Sequence, residues 1–200
     1  MKQAVIVAHP SAQSYTLAVA NAFAETAAAH GGEVVIRDLY RLGFDPCLHA
    51  DEMPISPQGT VREDVRHERG AIGGADLFVL IYPFWINAPP AMLKGYIDRV
   101  LGFDFGFGPD NDSLSPRLMG KKLLSITSSG APRHWVEDTG ALAAVRNLFD
   151  THLARVCGLT VVDHLHFGAV TPQMSREAVK RNLDQVRQTA TWLNQTDSTN

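Results

Sequence analysis

Five short apolar runs, rich in β-branched side chains, recur along the chain and are separated by glycine, proline and polar residues. Runs of this length and composition are typical of buried strands. The predicted strands cover residues 4–8, 33–37, 77–82, 123–127 and 159–162.

Between these runs the apolar positions recur every three or four residues, which predicts amphipathic helices. These helices cover residues 14–29, 61–72, 90–101 and 141–156, and a last helix begins near Thr171 and Pro172. Strands that are apolar on both faces and alternate with helices favour a parallel sheet with helices on both faces. We therefore expect one α/β domain over residues 1–200, with a frayed tail at 194–200.

Composition narrows the classes of function. The 200 residues are 45% hydrophobic and carry a formal net charge of −3, with scattered basic residues, so nucleic-acid binding is not expected. No apolar stretch reaches the roughly 18 residues of a membrane span, and the first residues lead into a strand without a signal-peptide apolar region. We expect a cytoplasmic protein in which Cys47 and Cys157 are small buried side chains rather than a disulfide.

The stretch VIVAHPSAQSYTLAVANAF joins the first strand to the first helix. His9 and several hydroxyl groups precede the helix start, where free backbone amides and the helix dipole attract an anion such as phosphate. Neither GxxxxGK[ST] nor GxGxxG is present, which disfavours a P-loop or a Rossmann dinucleotide turn. The alternative is that Ser11 or Ser14 only caps the helix.

Two further loops follow the third and fourth strands. Pro83, Phe84 and Trp85 place large aromatic side chains at the carboxyl edge of the sheet, where ligands of doubly wound folds bind. After the fourth strand, residues 128–130 offer hydroxyls and a glycine that lets the backbone approach a ligand. Either loop could instead be plain packing or a simple turn.

Several motifs, in order, resemble the NAD(P)H quinone reductases of the flavodoxin-like fold, the DT-diaphorase group and its bacterial relatives. They are AHPSAQSYT, DLYRLGFDP, ADLFVLIYPFWINAPPAMLKGYIDRVL followed by FDFGFG, and LLSITSSG, over about residues 4 to 135. The resemblance implies a five-stranded parallel sheet of order 2-1-3-4-5. It also implies a homodimeric flavin-dependent NAD(P)H dehydrogenase (quinone), in which NAD(P)H and the quinone react in turn by a ping-pong cycle.

The resemblance also implies which residues hold the flavin. The first loop would contact the phosphate and ribityl chain, the second the isoalloxazine ring, and the third the pyrimidine flank. The candidate cofactor-binding residues are His9, Ser14, Tyr15, Thr16, Pro83, Phe84, Trp85, Ile86, Asn87, Thr127, Ser128, Ser129, Gly130 and Trp135. His134 is a candidate proton donor. Relatives with a region that covers the adenosine of FAD extend further past the last helix, which favours FMN here over FAD.

Some positions depart from the family pattern. Arg69 stands where several relatives have a flavin-contacting glutamine, and Trp135 and Ala141 replace a tyrosine and histidine pair. Segment 102–108, with three phenylalanines, matches a part of relatives that roofs the substrate pocket. The long connection 39–60 is a candidate for the dimer interface.

Other residues bear on different classes of function. His164 and His166 would share one face of the last strand, so a metal site is conceivable, although no third ligand is nearby in sequence and none is expected. A serine hydrolase is disfavoured because no GxSxG motif occurs. The remaining alternatives are a flavin-binding regulatory subunit of an ion-efflux system, and an azo- or nitro-reductase that shares the hydride chemistry.

Overall fold

The computed structural model describes residues 1–53, 60–110 and 113–197. Its strands are β1 (Lys2–Val7), β2 (Glu33–Asp38), β3 (Leu77–Pro83), β4 (Phe107–Asp110), β5 (Ser113–Pro116), β6 (Lys122–Ser128) and β7 (Thr160–Phe167). Five of them form a parallel sheet in the order β2-β1-β3-β6-β7, and β4 pairs with β5 in an antiparallel hairpin. The predicted α/β fold with a five-stranded parallel sheet is confirmed. The hairpin was not predicted, and it shifts the last two strand numbers from 4 and 5 to 6 and 7.

Helices cover both faces of the sheet. They are α1 (Tyr15–Ala29), a 3-10 turn (Ala50–Glu52), α2 (Glu63–Ile72), α3 (Ala91–Arg99), α4 (Arg133–Asp138), α5 (Ala141–Val145), a π-helical segment (Arg146–His152), α6 (Leu153–Cys157) and α7 (Arg176–Asp197). Alternate residues of β1 divide between two cores: Val5 and Val7 pack with α1 and α7, whereas Ala4 and Ile6 pack with α2, α3 and α6. This division explains why the strand is apolar at successive positions.

The predicted start of the last helix is wrong. The last helix begins at Arg176, not near Thr171 and Pro172, because the Ser175 hydroxyl accepts a hydrogen bond from the Ala178 amide and caps it. The helix then continues through Asp197, into the segment that the sequence predicts to be a frayed tail. Asn194 is buried and its side chain accepts a hydrogen bond of 2.8 Å from Gln3. Residues 198–200 lie outside the described part.

Two other boundaries differ from the prediction. The predicted helix 141–156 contains a π-helical segment between α5 and α6. The last strand continues five residues beyond the predicted end at 162, to Phe167, although polar side chains interrupt its apolar pattern. Among the described helices, none is long and apolar enough to cross a membrane.

Candidate functional site

The three predicted loops meet at the carboxyl edge of the sheet. β1, β3 and β6 are adjacent there, and the Phe84 amide donates a 2.7 Å hydrogen bond to the Ser128 carbonyl, which joins the second loop to the third. Between the loops lies a cavity of about 200 Å³. Its walls are formed by His9, Tyr15, Thr16, Pro83, Phe84, Trp85, Ser128, Ser129, Gly130 and Val170.

The first loop brings a helix N-terminus to this cavity. Tyr15 and Thr16 are the first two residues of α1, so their amides have no carbonyl partner within the helix. Ser14 does not line the cavity; its hydroxyl accepts a 3.2 Å hydrogen bond from the Leu17 amide and caps α1. The capping alternative is therefore correct for this side chain.

His9 and Tyr15 are held in fixed orientations on that wall. The His9 Nδ1 atom accepts a 3.1 Å hydrogen bond from the Ser11 amide, and burial lowers the pKa of His9, with a further contribution from the Arg41 guanidinium. The Tyr15 hydroxyl accepts a 3.0 Å hydrogen bond from Asn182. Burial raises the pKa of Tyr15 to about 12, so this hydroxyl stays protonated at neutral pH.

The second loop is a tight turn under backbone strain. Trp85 and Ala88 exchange two backbone hydrogen bonds, and the residues between them, Ile86 and Asn87, have φ of 49° and 54°. Positive φ at both central positions is the pattern of a type I′ turn, which is unfavourable for β-branched Ile86. Neither residue lines the cavity: Ile86 is fully exposed, and Asn87 donates a hydrogen bond to the Ala141 carbonyl. The turn instead fixes the position of Trp85, whose ring centroid is 5.8 Å from that of His9.

The third loop divides between the cavity and the interior. Ser128, Ser129 and Gly130 line the cavity. Thr127, predicted to be beside them, is buried, and its hydroxyl lies between His164 Nε2 at 2.8 Å and His166 Nδ1 at 2.9 Å. Thr127 therefore does not face the cavity.

Three other sequence expectations fall outside the cavity walls. His134 and Trp135 are exposed on α4 and do not line the cavity. Arg69 donates hydrogen bonds to the carbonyls of Arg99, Val100 and Phe103. Val170 is not among the predicted site residues, because the predicted last strand ended too early for this residue to fall at the sheet edge.

A larger cavity, of about 430 Å³, lies near the 3-10 turn, α2 and the end of α3. Arg69, Phe103 and Phe107 line it, and none of the strand-end residues of the 200 Å³ cavity does. Its size alone does not make it the ligand site, since the convergent amides and hydroxyls lie at the other cavity. The segment 102–108 therefore does not roof the 200 Å³ cavity within one chain.

His164 and His166 do lie on one face of β7, as predicted. Both imidazoles contact the Thr127 hydroxyl, and His164 also contacts the carboxylate of Asp150. Within residues 1–53, 60–110 and 113–197 no group of three or more His, Cys, Asp or Glu side chains is arranged to hold a metal ion.

The walls of the 200 Å³ cavity offer the groups that would hold a flavin nucleotide. The free amides of the first turn of α1 suit a phosphate, because a helix N-terminus favours negative charge. Phe84 and half-exposed Trp85 offer flat apolar faces to a ring system. Ser129 and Gly130 supply polar groups at the opposite side. The donors and the aromatic faces are therefore those that an anionic, flat cofactor needs.

Comparisons with known proteins identify a family with the same fold. A family model described as flavodoxin-like fold matches residues 1–190. The chain is 32% identical over 171 residues to a protein of Haemophilus influenzae described as an uncharacterized NAD(P)H oxidoreductase, covering 85% of each chain. It is 29% identical over 146 residues to NAD(P)H dehydrogenase [quinone] 1 of Rattus norvegicus, covering 64% of this chain and 53% of the rat enzyme.

Solved structures extend the comparison. NAD(P)H:quinone oxidoreductase from Methanothermobacter marburgensis is 28% identical, with a TM-score of 0.80 over 96% of each chain. An FMN-dependent NADH-azoreductase from Bacillus anthracis, solved in complex with FMN, is 17% identical with a TM-score of 0.73, over 96% of this chain and 99% of that one, and shares the fold. The resemblance drawn from the sequence motifs is confirmed by these relatives.

Proposed function

Because the chain belongs to the family of the flavodoxin-like fold, we propose that it is a flavin-dependent NAD(P)H dehydrogenase that reduces quinones. The observation that supports this proposal most is the 200 Å³ cavity. It combines the free amides of a helix N-terminus with aromatic walls at the carboxyl edge of a parallel sheet, where folds of this kind bind ligands. We propose FMN as the cofactor, with FAD as the alternative.

Each wall has a task in this proposal. The flavin supplies the hydride-transfer chemistry when bound, and the protein supplies binding, orientation and electrostatics. The first turn of α1 would hold the phosphate, and Phe84 and Trp85 would position the ring. The loop of Ser129 and Gly130 would offer hydrogen-bonding groups to the pyrimidine edge and stabilise negative charge there.

We propose that NAD(P)H and the quinone use one face of the bound flavin in turn. The flavin itself would occupy the 200 Å³ cavity, and two flat substrates cannot stack on the same ring face at once. We therefore expect ping-pong kinetics, with parallel double-reciprocal lines when the quinone concentration is varied at several NADPH concentrations. Intersecting lines would contradict sequential use of one site.

The first experiment is an absorbance spectrum of the purified protein before and after NADPH is added without air. A yellow protein that bleaches within seconds supports the proposal, and the mass of the released cofactor distinguishes FMN from FAD. A colourless protein that neither flavin reconstitutes overturns it. The oxidants tested afterwards are a benzoquinone, an azo dye and a nitroaromatic. Reduction without turnover of any oxidant, together with a stable ion-efflux partner, favours the regulatory alternative.

We propose that the protein is a homodimer whose interface includes the larger cavity. Leu48, Met53 and Val61 line that cavity, and their side chains are exposed to solvent. A group of exposed apolar side chains around a groove is unusual in a monomeric protein. A second copy of the chain would cover them. Light scattering coupled to size exclusion should give twice the chain mass of 21.8 kDa, and Leu48→Glu should lower it toward the monomer. A monomeric wild type contradicts this assembly.

A further inference from the structure

A continuous chain of hydrogen bonds connects a buried carboxylate to the wall of the 200 Å³ cavity. Asp150 Oδ2 lies 2.5 Å from His164 Nδ1, and His164 Nε2 lies 2.8 Å from the Thr127 hydroxyl. That hydroxyl lies 2.9 Å from His166 Nδ1, and His166 Nε2 lies 3.0 Å from the Ser129 hydroxyl. Ser129 lines the cavity, so the chain ends where a ligand would lie.

The sheet register brings these groups together. β6 and β7 are parallel neighbours in which Thr127 is paired with His166, and the preceding position of the same face pairs Ser125 with His164. The π-helical segment then places Asp150 over this face, where it also accepts a 2.6 Å hydrogen bond from Ser125. A π-helical turn is rare and is found frequently at functional sites.

Because these side chains are buried, the direction of each hydrogen bond determines which ring nitrogens carry protons. All five side chains are at most 7% exposed, so each of their polar atoms depends on partners within the protein. Besides the bonds above, the Thr127 hydroxyl lies 3.3 Å from the Leu165 carbonyl, and the Ser129 hydroxyl lies 2.9 Å from the Ala131 carbonyl. The carboxylate of Asp150 can only accept, which places a proton on His164 Nδ1 and leaves Nε2 to accept from Thr127. By the same reasoning, His166 donates from Nδ1 to Thr127 and accepts at Nε2 when the Ser129 hydroxyl turns toward it. When that hydroxyl donates to the Ala131 carbonyl, at 2.9 Å, His166 Nε2 donates to Ser129 instead, which is the arrangement after a proton has been taken up.

We propose that this chain is a proton relay, which stores one proton at the buried Asp150–His164 pair and exchanges it with the cavity through the Ser129 hydroxyl. The proposal rests on the proposed function for its role, because reduction of a quinone by NAD(P)H consumes one proton. The relay would hold that proton beside the cavity and out of contact with bulk water.

Each transfer breaks one bond to hydrogen and forms one. A proton from the cavity binds the Ser129 oxygen, and the original Ser129 proton passes to His166 Nε2. The proton on His166 Nδ1 passes to the Thr127 oxygen, and the original Thr127 proton passes to His164 Nε2. The result is an imidazolium beside a carboxylate, with one proton added and every other group neutral. Reversing the sequence returns one proton to the cavity.

The surrounding charges favour His164 over His166 as the site of storage. The Asp150 carboxylate stabilises an imidazolium that it contacts directly. Burial, His164, and the cations Arg133 and Arg146 lower the pKa of His166 to about 4, against an opposing effect of Glu137. His166 is thus suited to pass a proton on and not to keep it.

Two other groups complete the surroundings. Arg146 on the π-helical segment donates a 2.8 Å hydrogen bond to the backbone carbonyl of His164, not to its ring. Tyr82 on β3 is paired with Thr127, and burial, together with the charge of Asp150, raises the pKa of its hydroxyl far above the usual range. Tyr82 therefore stays neutral and does not compete for the stored proton.

The test that does not depend on turnover is ¹⁵N NMR of the histidine rings in the protein as purified. In the wild type the ring nitrogens of His164 and His166 should respond to pH together, because the Thr127 hydroxyl contacts both rings. In Thr127→Val the ring nitrogens of His164 and His166 should lose their shared dependence on pH, and Thr127→Ser should restore it. If the two rings respond to pH independently in the wild type, or if Thr127→Val behaves like the wild type, the relay is overturned.

The kinetic test compares the two half-reactions by stopped-flow absorbance. Thr127→Val should lower the rate of acceptor reduction relative to the rate of reduction by NADPH by about 100-fold, the size of a typical general-acid contribution. Thr127→Ser should restore the ratio, and Asp150→Asn should lower it without removing a hydroxyl. An equal loss in both half-reactions would show a merely structural role and overturn the relay. If NADPH reduces none of the proteins, the proposed function fails, and the NMR result still decides whether the relay exists.

Discussion

Replacing Arg99 by methionine tests how the loop after β2 is held against α3. The Arg99 guanidinium is almost completely buried and donates to Glu52, to Asp64 at 2.7 and 3.0 Å, and to the carbonyl of Asp45. It also lies 5.2 Å from the ring centroid of Phe44. One side chain thus connects α3 to three segments that border the larger cavity.

The size of the effect follows from how deeply each partner is buried. The Glu52 side chain is 7% exposed, whereas that of Asp64 is 41% exposed and can regain water when Arg99 is lost. Within the described residues, Glu52 would keep the hydrogen bond from the His49 amide, so Arg99→Met leaves one buried charge without the cation that it pairs with. Removing one partner of a buried ion pair costs about 3 to 5 kcal/mol.

The matched control is Lys94→Met, on the same helix. Lys94 pairs with Asp98 at 2.7 Å, but both side chains are largely exposed, so its loss should cost less than about 1 kcal/mol. Urea unfolding followed by circular dichroism measures both, and Arg99→Met should lower the midpoint by about 2 M if the slope is about 2 kcal/mol per M.

A double variant checks the cause. Arg99→Met combined with Glu52→Gln should be less destabilised than Arg99→Met alone, by about 1 kcal/mol or more, because the buried charge is gone. Equal losses for Arg99→Met and Lys94→Met, or strictly additive effects in the double variant, would refute the reasoning.

Three further predictions concern the 200 Å³ cavity and its surroundings. Trp85→Ala should weaken flavin binding about fivefold in a fluorescence titration, because about 1 kcal/mol of ring stacking is lost. The control is Trp192→Ala, which lies in α7. Equal effects of the two substitutions would contradict the placement of the flavin ring against Trp85. Ile86→Gly should raise the free energy of unfolding by about 1 kcal/mol, because glycine adopts the positive φ at this position without strain. Ile86→Ala should not raise it. The same gain in both variants would show that backbone strain is not the cause. Because the folded-state pKa of His166, about 4, lies below the 6.5 of a free imidazole, the unfolded state binds more protons between these values, and stability should rise with pH across this window. Urea midpoints measured from pH 4 to 6.5 should rise less steeply in His166→Asn, and an unchanged slope would contradict this assignment.

The sequence alone determined the sheet and the edge at which the cavity lies. Apolar strands such as residues 77–82 carry their own signal, because both faces are buried and nothing polar interrupts them. The start of α1 could also be predicted from nearby residues, because Ser14, which caps the helix, directly precedes its first residue. Given parallel strands, the loops at their carboxyl ends had to meet at one edge.

Tertiary structure decided which of those loop residues face the cavity and which are buried in the interior. Thr127 faces inward because two histidines from β7, nearly 40 positions later in the chain, accept and donate at its hydroxyl. The same long-range bonds let β7 continue past Val162 through polar residues, which appear from sequence alone to end the strand. Asp150 shows the reason in its simplest form. A carboxylate on a helix is ordinarily solvated, and only the fold, by burying it against His164, makes it part of a connected polar network.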